Sequence, residues 1–379
     1  MSQTHTFIGI MTGTSLDGID LAIVDFNYDG STFTFREKYF NTYEYPPDLK
    51  KEVLDLIAAP ANIYKVSQLN FAIAMVYSEC VDKALFESGI FKADITGLSV
   101  HGQTVWHQPY KKTIGTRKIT STFQLCDLSV LNQLSGIPVY GNFRTADMAL
   151  GGQGAPLVPI FDYYFLSEKD LDVVALNIGG ISNMTYLPSS GLKERVIGFD
   201  TGPGNVLIDI AMRKYFNKEF DNFGNTARKG KFITKILDEL MQLDYISKPY
   251  PKSTGREIFN VMFFNKYFSD ELEPEDVLCT LSHFTAKSIA HNIIQNKLSV
   301  NKIVVTGGGA HNIFLMELLS HYMKNVDIIQ GNTLGIGIDS KEAVCFAFLG
   351  LLNKLGLSGN IPSVTGASRE CILGVRAGN

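Results

Sequence analysis

Two segments of this chain, roughly half its length apart, share one pattern of residues: an apolar strand, a polar turn that contains glycine, and a second apolar strand. The first segment is residues 7–26, with Asp17 and Gly18 at its turn, and the second is residues 173–187, with Gly179 and Gly180. Each pattern predicts a β-hairpin, because apolar runs on both sides of a glycine-bearing turn pair as antiparallel strands. Two such hairpins, roughly half a chain length apart, predict a duplicated unit.

Strand and helix patterns occur in both halves, which predicts an α/β protein. Residues 302–306 form a short apolar strand, and after a run of glycines Asn312 is placed to cap a helix with apolar residues at helical spacing. A chain of 379 residues exceeds one ordinary core, so two domains are expected. We place the first lobe at residues 1–141, with residues 355–379 as a candidate completion of it, and the second lobe at residues 142–354.

Composition excludes several classes of protein. The net charge is −4 and basic residues are interspersed with acidic ones, so there is no electrostatic footprint for nucleic acid or an anionic membrane. The longest apolar stretch, residues 343–352, is too short to span a bilayer and predicts a buried helix. The N-terminus enters a strand pattern at once, and the five cysteines include no C-x-x-C pair, which indicates reduced thiols. We therefore expect a cytoplasmic protein.

The turn of the first hairpin has the composition of a phosphate-binding loop. Gly13 and Gly18 leave backbone N–H groups open to a phosphate, Thr14 and Ser15 add hydroxyls, and Asp17 adds a carboxylate suited to Mg²⁺ or its waters. An ordinary Asp-Gly hairpin explains the same residues. The nucleotide interpretation is favoured only because the turn belongs to a set of three glycine-bearing turns in this chain.

The set includes Gly179 and Gly180 of the second hairpin and the run Gly307, Gly308 and Gly309. The triple glycine does not match G-x-G-x-x-G, and no G-x-x-x-x-G-K-[ST] occurs, which disfavours a Rossmann dehydrogenase or a Walker-type ATPase. A tight crossing from strand to helix remains an alternative explanation of the three glycines.

Two carboxylates stand out from their surroundings. Asp200 lies in GFDTGPGN, a run dense in turn formers that predicts a rigid loop, and there it is either a general base or the acceptor of an Asx turn. Glu342 is the charged residue at the start of the apolar run 343–352, where a favourable interaction with the helix dipole is the alternative to a functional role.

Polar residues suited to a sugar lie in two further segments. Gln103 and Thr104 of HGQT offer groups for hydroxyls, and Arg144 of NFRTAD offers a bidentate fork for a carboxylate. An ion pair between Arg144 and Asp147 is the structural alternative.

Together these segments make the chain resemble the anhydro-N-acetylmuramic acid kinase family, within the actin/Hsp70/sugar-kinase fold. The resemblance covers essentially the whole chain, and it rests on MTGTSLDGID, HGQT, NFRTADMALGGQGAPLVP, LNIGGISN, GFDTGPGN, PKSTGREIFN, GGGAHN, DSKEAVCFAFLG and PSVTGAS. It implies a two-lobed actin-like ATPase fold, a ribonuclease H-like unit duplicated around a central cleft. It also implies the use of ATP and Mg²⁺ to convert 1,6-anhydro-N-acetylmuramic acid to N-acetylmuramic acid 6-phosphate, in the recycling of cell-wall peptidoglycan.

The resemblance also implies roles for single residues. Asp200 would activate the attacking water, Glu342 would support the water or the ring, and Arg144 would hold the lactyl carboxylate. The residues that would contact nucleotide are Gly13, Thr14, Ser15, Asp17, Gly18, Gly179, Gly180, Gly307, Gly308, Gly309 and Asn312.

Two rival functions remain at this stage. An actin- or Hsp70-like ATPase would share the phosphate hairpins but act by binding or assembly, and a nucleotide-independent glycoside hydrolase would use Asp200 and Glu342 as its carboxylate pair. The expected partners are the amino sugar and ATP. The oligomeric state is left open, a homodimer included.

Overall fold

The chain folds into two units in the computed structural model, which describes residues 3–13, 16–58, 62–255 and 257–378. Unit 1 comprises Met1–Phe165 and Ser340–Asn379, and unit 2 comprises Leu166–Asp339. The boundary therefore differs from the one expected from the sequence. Residues 142–165 belong to unit 1, and the chain returns to unit 1 at Ser340 instead of residue 355.

Unit 1 is built around a six-stranded sheet. The strands of this sheet are β1 (Gln3–Met11), β2 (Ile19–Tyr28), β3 (Phe33–Tyr43), β4 (Gly97–Val100), β7 (Val139–Gly141) and β13 (Val375–Ala377). Two further strands, β5 (Gln103–Ile114) and β6 (Arg117–Leu125), form a separate β-hairpin. Its helices are α1 (Pro47–Ala58), α2 (Ile63–Ser88), α3 (Leu128–Ser135), α4 (Thr145–Ala149), α5 (Pro159–Leu166), α12 (Lys341–Leu355) and α13 (Pro362–Thr365).

Unit 2 has a five-stranded sheet. Its strands are β8 (Val173–Ile178), β9 (Ile181–Leu187), β10 (Ile197–Pro203), β11 (Lys302–Thr306) and β12 (Asp327–Gln330). Its helices are α6 (Val206–Phe216), α7 (Thr234–Met241), α8 (Asp244–Ser247), α9 (Val261–Tyr267), α10 (Pro274–Gln295) and α11 (Ile313–Tyr322).

The two sheets share an arrangement of five strands, to which β13 adds a sixth in unit 1. In unit 1 the order is β13-β7-β4-β1-β2-β3, and in unit 2 it is β10-β9-β8-β11-β12. In each unit the first three strands are antiparallel neighbours, and two later strands add in parallel beside the first. Five strands thus recur in the order third, second, first, fourth, fifth, which is the ribonuclease H-like arrangement. The duplicated α/β unit expected from the two hairpins is confirmed.

Helix α12 explains why the chain returns to unit 1. The helix packs on β1, β2 and β4, and the approach is close enough that a Cβ at Gly9 would overlap the carbonyl oxygen of Ala343. Most of the helix is buried, as its apolar sequence predicted. Residues 341–355 therefore complete the core of the unit that begins with β1.

Local signals predicted several elements correctly. Strand β11 has the expected bounds, and α11 follows it with Asn312 as N-cap, its side-chain oxygen accepting the Leu315 N–H at 2.9 Å. All five cysteines are free thiols. Within the described residues, no helix is both long and apolar enough to cross a bilayer.

Candidate active site

The turn between β1 and β2 is held from outside the hairpin. The Gly13 carbonyl accepts from the Leu16 N–H at 3.3 Å and from the Gln103 side-chain amide at 3.3 Å. Gly13 and Asp17 are exposed, whereas Gly18 is half-buried beside Thr42. Thr14 and Ser15, predicted as hydroxyl donors to phosphate, lie outside the described residues.

Gln103 does not offer its side chain to a substrate, which corrects the sequence-based expectation. The residue has 0% exposed surface. Its side-chain oxygen accepts from the Tyr45 hydroxyl at 3.1 Å, and its side-chain nitrogen donates to the Gly13 and Thr104 carbonyls. Since both of its side-chain N–H groups are in use and its oxygen accepts from Tyr45, Gln103 positions the β1–β2 turn. Thr104 is half-buried beside it.

Arg144 precedes α4 and is bound on two sides. Its Nε and Nη2 approach the Nε2 atom of His101 at 3.1 and 2.7 Å, and its Nη1 donates to the Gly154 carbonyl at 2.7 Å. The ion pair with Asp147 that the sequence left open is not formed. Burial lowers the pKa of Arg144 to about 10, and it lowers the pKa of His101 well below the usual range, an effect to which the Arg144 charge adds. The imidazole is therefore a neutral acceptor.

The guanidinium retains capacity for an anion. Of its five N–H groups, these contacts use three, so one N–H on each terminal nitrogen has no acceptor among the described residues. A desolvated guanidinium bonded to neutral acceptors is an attractive site for a carboxylate.

Glu342 lies in the first turn of α12, as the sequence indicated. Burial raises the pKa of its carboxyl, and nearby Asp20 raises it further, while Lys341 and Arg144 oppose the shift. Lys341 is itself paired with Asp162 at 2.6 Å. The glutamate thus shares its surroundings in unit 1 with a second carboxylate and with Arg144.

The turn between β8 and β9, made of Gly179 and Gly180, is braced by the chain that enters α6. The Gly179 carbonyl accepts from the Asn205 N–H at 2.8 Å, and the Gly180 carbonyl accepts from the Gly204 and Val206 N–H groups at 2.9 and 3.1 Å. In a trans peptide the N–H points away from the preceding carbonyl, so the Gly180 N–H faces away from Asn205. Gly180 is exposed. The turn therefore presents at least one N–H group outward.

Asp200 lies on β10 and not in the loop that the sequence predicted. The turn formers of GFDTGPGN pair with β9 instead, and the register shifts between Asp200 and Gly202, which is a β-bulge. Bulges bend a strand and redirect a side chain, and they are frequent beside active sites.

The segment after α8 fixes the aspartate. The Asp200 N–H donates to the Lys252 carbonyl at 3.2 Å, and its Oδ2 accepts from the Thr254 N–H at 2.9 Å. The Tyr245 hydroxyl donates to the Asp200 carbonyl at 2.8 Å. Among the described residues, nothing donates to Oδ1, so one carboxylate oxygen is held and the other is available.

Burial sets the proton affinity of Asp200. It raises the pKa of the carboxyl to about 6, with Glu257 adding to the shift, while the Thr254 N–H and the charge of Lys252 oppose it. The pKa of Lys252 is lowered to about 8 by burial, with repulsion from Lys248 adding to the shift, and its Nζ donates to the Tyr245 and Ile246 carbonyls. A carboxylate with a pKa near neutrality is a competent general base.

The three glycines after β11 lie in different surroundings. Gly307 adopts φ 79°, a left-handed conformation, and a Cβ at Gly309 would overlap Ile178. Around Gly308 there is open space, with no atom nearer to a Cβ than Asn205 Nδ2 at 4.0 Å. Gly308 lines a cavity.

That cavity, of about 510 Å³, lies within unit 2. Gly308 and Asn312 line it, as expected for a nucleotide site, together with residues that the sequence did not single out: Asn205, Ile208, Asp209, Phe220, Asp221, Asn222, Phe223 and His311. Phe220 and Phe223 are 62% and 48% exposed, and Phe223 has φ 57°. Exposed aromatic rings at a cavity suit the face of a purine.

The match of a family model settles which family this is. The model described as "Anhydro-N-acetylmuramic acid kinase" matches residues 5–378. The chain belongs to this family. The family model spans every residue placed above, from the β1–β2 turn to Glu342.

Curated members of the kinase family are similar over their whole length. The chain is 38% identical to the anhydro-N-acetylmuramic acid kinase of Aliivibrio fischeri, covering 97% of this chain and 98% of that protein. It is also 38% identical to that of Francisella tularensis subsp. novicida, with 99% of each covered.

Solved structures of other families are similar only remotely. Component A of (R)-2-hydroxyglutaryl-CoA dehydratase from Acidaminococcus fermentans is 12% identical with a TM-score of 0.43, covering 90% of this chain and 99% of that one. The ROK hexokinase from Thermus thermophilus is 11% identical with a TM-score of 0.35, covering 93% and 100%. Likenesses at this level add nothing to the topology described above.

Proposed function

We propose that this protein is an ATP-dependent kinase that opens the anhydro ring of 1,6-anhydro-N-acetylmuramic acid and phosphorylates oxygen 6. Water attacks carbon 1, the bond from carbon 1 to oxygen 6 breaks, and oxygen 6 takes the γ-phosphoryl group of ATP. The products are N-acetylmuramic acid 6-phosphate and ADP. Because the reaction consumes ATP, we place it in the cytoplasm, where it would serve peptidoglycan recycling.

The observation that carries the proposal is the state of Asp200. One carboxylate oxygen is anchored by the Thr254 N–H, the other accepts no hydrogen bond from the described residues, and burial raises the pKa to about 6. A base with these properties is ionised at neutral pH and can take a proton from the attacking water. An ordinary sugar kinase base would remove a proton from a hydroxyl, but this substrate has no free 6-hydroxyl.

Unit 1 supplies groups for the sugar. The two remaining N–H groups of Arg144 suit the lactyl carboxylate, which distinguishes muramic acid from other amino sugars. We assign Glu342 to the support of the water or the ring, to which its carboxyl oxygens can hydrogen-bond.

The nucleotide is assigned to the glycine turns and to the cavity in unit 2. Backbone N–H groups of the β1–β2 and β8–β9 turns would bind phosphate, and the cavity beside Gly308 would hold the adenosine. Mg²⁺ would neutralise charge on the phosphates. Such an ion needs only one or two carboxylates besides phosphate oxygens, so the exposed Asp17 fits it although the described residues contain no cluster of three ligands.

A coupled assay of ADP release tests the proposal. We expect release with 1,6-anhydro-N-acetylmuramic acid and none above background with N-acetylmuramic acid or glucose. Equal release without any sugar would favour an actin- or Hsp70-like ATPase, which family membership already disfavours. Sugar opening that survives complete removal of ATP would favour the hydrolase.

Gly180→Ala tests the phosphate turn. A Cβ there meets nothing nearer than Val206 Cβ at 3.9 Å, so we expect unchanged thermal unfolding. The methyl group stands where phosphate approaches the N–H, so ATP affinity should fall about tenfold, or roughly 1.4 kcal/mol, by calorimetric titration. Gly204→Ala is the contrast, because its Cβ would overlap the Gly179 carbonyl oxygen and should lower the melting temperature as well. Unchanged ATP affinity in Gly180→Ala would return this turn to a structural role.

Asp17→Asn tests the metal assignment. Removing an exposed carboxylate should leave stability unchanged, while the Mg²⁺ concentration for half-maximal ADP release should rise about tenfold, since a charged ligand or water acceptor is lost. Asp48→Asn, at an exposed position in the first turn of α1, provides the matched control. An unchanged Mg²⁺ dependence would exclude Asp17 as a ligand.

A further inference from the structure

The carboxylate of Asp147 is buried in unit 1 and has no part in the reaction as proposed. Asp147 lies in α4, three positions after Arg144, and its side chain has 0% exposed surface. Its Oδ2 accepts from the Gly154 N–H at 2.8 Å, and its Oδ1 accepts from Asn360 Nδ2 at 2.8 Å and from the Thr365 hydroxyl at 2.6 Å. A buried carboxylate costs desolvation energy, and here three uncharged donors offset it.

These contacts connect two distant parts of the chain. Asn360 and Thr365 belong to the C-terminal segment of unit 1, whereas Gly154 lies in the loop between α4 and α5. The Gln153 N–H also donates to the Thr365 carbonyl at 2.8 Å, so backbone and side chain both join the segments. The loop that carries Gly154 is therefore held by residues more than two hundred positions later in sequence.

Gly154 transmits the position of Asp147 to Arg144. Its N–H is bound by the carboxylate, and its carbonyl accepts from Arg144 Nη1 at 2.7 Å. The residue has φ 69°, and a Cβ would approach Met148 Cγ at 2.8 Å, so only glycine fits. With the N–H anchored and the conformation restricted, the direction of the carbonyl is set, and so is one side of the guanidinium.

We propose that Asp147 is a positioning residue for recognition of the lactyl carboxylate, acting through Gly154 on Arg144. Asp147 does not touch the sugar. It determines how well Arg144 presents its two remaining N–H groups, and therefore how strongly the site prefers a muramyl sugar over one without the lactyl group. The inference rests on the role proposed above for Arg144.

The test compares two sugars that differ only in the lactyl group, 1,6-anhydro-N-acetylmuramic acid and 1,6-anhydro-N-acetylglucosamine. In Asp147→Asn, one of the two carboxylate oxygens becomes an NH₂ group, which cannot accept a hydrogen bond. The side chain therefore loses either the bond from the Gly154 N–H or the bonds from Asn360 and Thr365. By calorimetric titration we expect affinity for the muramyl sugar to fall about tenfold and affinity for the analogue to change by less than about twofold. KM for the muramyl sugar should rise more than kcat falls.

A second pair of variants guards against loss of folding. Thr365→Val removes the hydroxyl that donates to Asp147 but keeps the shape of the side chain, and it should lower the preference for the muramyl sugar in the same direction. Thr365→Ser restores a hydroxyl and should restore the preference. Equal losses for both sugars in Asp147→Asn and Thr365→Val would show a merely structural role and overturn the inference.

Arg144→Leu separates this inference from the function on which it rests. If Arg144 binds the lactyl carboxylate, its removal should abolish the preference between the two sugars. A preference that survives in Arg144→Leu would contradict the assigned role of Arg144. A preference lost in Arg144→Leu but intact in both Asp147→Asn and Thr365→Val would contradict only the inference about Asp147.

Discussion

Asp200→Asn is expected to lower turnover about 10²–10⁴-fold, the range over which a positioned general base contributes to catalysis. ATP affinity should stay within about threefold, because the lost interaction belongs to the transition state. The amide keeps an oxygen for the Thr254 N–H, so the fold around β10 should be preserved. ADP release measures turnover, and Asp238→Asn, at an exposed carboxylate 3.8 Å from Lys287, is the control. Turnover like that of the wild type would remove Asp200 from the mechanism.

The same aspartate predicts the pH profile. Its pKa of about 6 lies above the usual value, so the carboxyl is protonated and inactive as a base below that pH and ionised above it. We expect kcat/KM of the wild type to fall with decreasing pH through about 6, approaching tenfold for each pH unit, and to level off above it. The residual activity of Asp200→Asn should lack this limb. A wild-type kcat/KM that stays constant down to pH 5 would show that a group other than Asp200 accepts the proton of the attacking water.

The second large effect is stereochemical. In the 1,6-anhydro sugar, oxygen 6 is bonded to carbon 1 on the β face, so water activated by a single base must approach from the opposite face. The first product should therefore be almost entirely the α-anomer of the 6-phosphate. A double displacement through a covalent intermediate would give the β-anomer, so the two mechanisms differ completely in their initial product.

Proton NMR reads this outcome directly. The anomeric signals should be recorded early, with enough enzyme to outrun mutarotation, which otherwise mixes the anomers. Product made chemically as the anomeric mixture, incubated alone under the same conditions, controls for the mixing rate. Initial β-anomer would contradict the single-base role of Asp200, even if Asp200→Asn were inactive.

The elements that sequence reasoning located are those encoded by neighbouring residues. The two hairpins, strand β11 and the Asn312 cap depend on alternation, glycine and one polar side chain within a few positions. Their duplication indicated a repeated unit, whereas the ribonuclease H-like arrangement was expected only from the family resemblance. Family resemblance supplied the reaction, which no local pattern contained.

The sequence analysis was wrong about residues whose surroundings are formed by segments distant in sequence. Gln103 looked like a donor in a polar loop, but Gly13, ninety positions earlier, and Tyr45 bury it. The glycines and proline around Asp200 indicated a loop, but pairing with β9 makes the segment a bulged strand. The lobe boundary was misplaced because α12 is recruited to unit 1 by contact with β1, a partner that its own sequence does not reveal.

The return of the chain to unit 1 has a consequence for the order of events during synthesis. Unit 2 is one uninterrupted stretch, Leu166–Asp339, so all five of its strands have been translated before α12 exists. Unit 1 includes β1, but Gly9 of that strand packs against Ala343, and the buried carboxylate of Asp147 accepts hydrogen bonds from Asn360 and Thr365. Unit 1 therefore cannot complete its fold until residues 340–379 have been translated, whereas the whole of unit 2 is available before them.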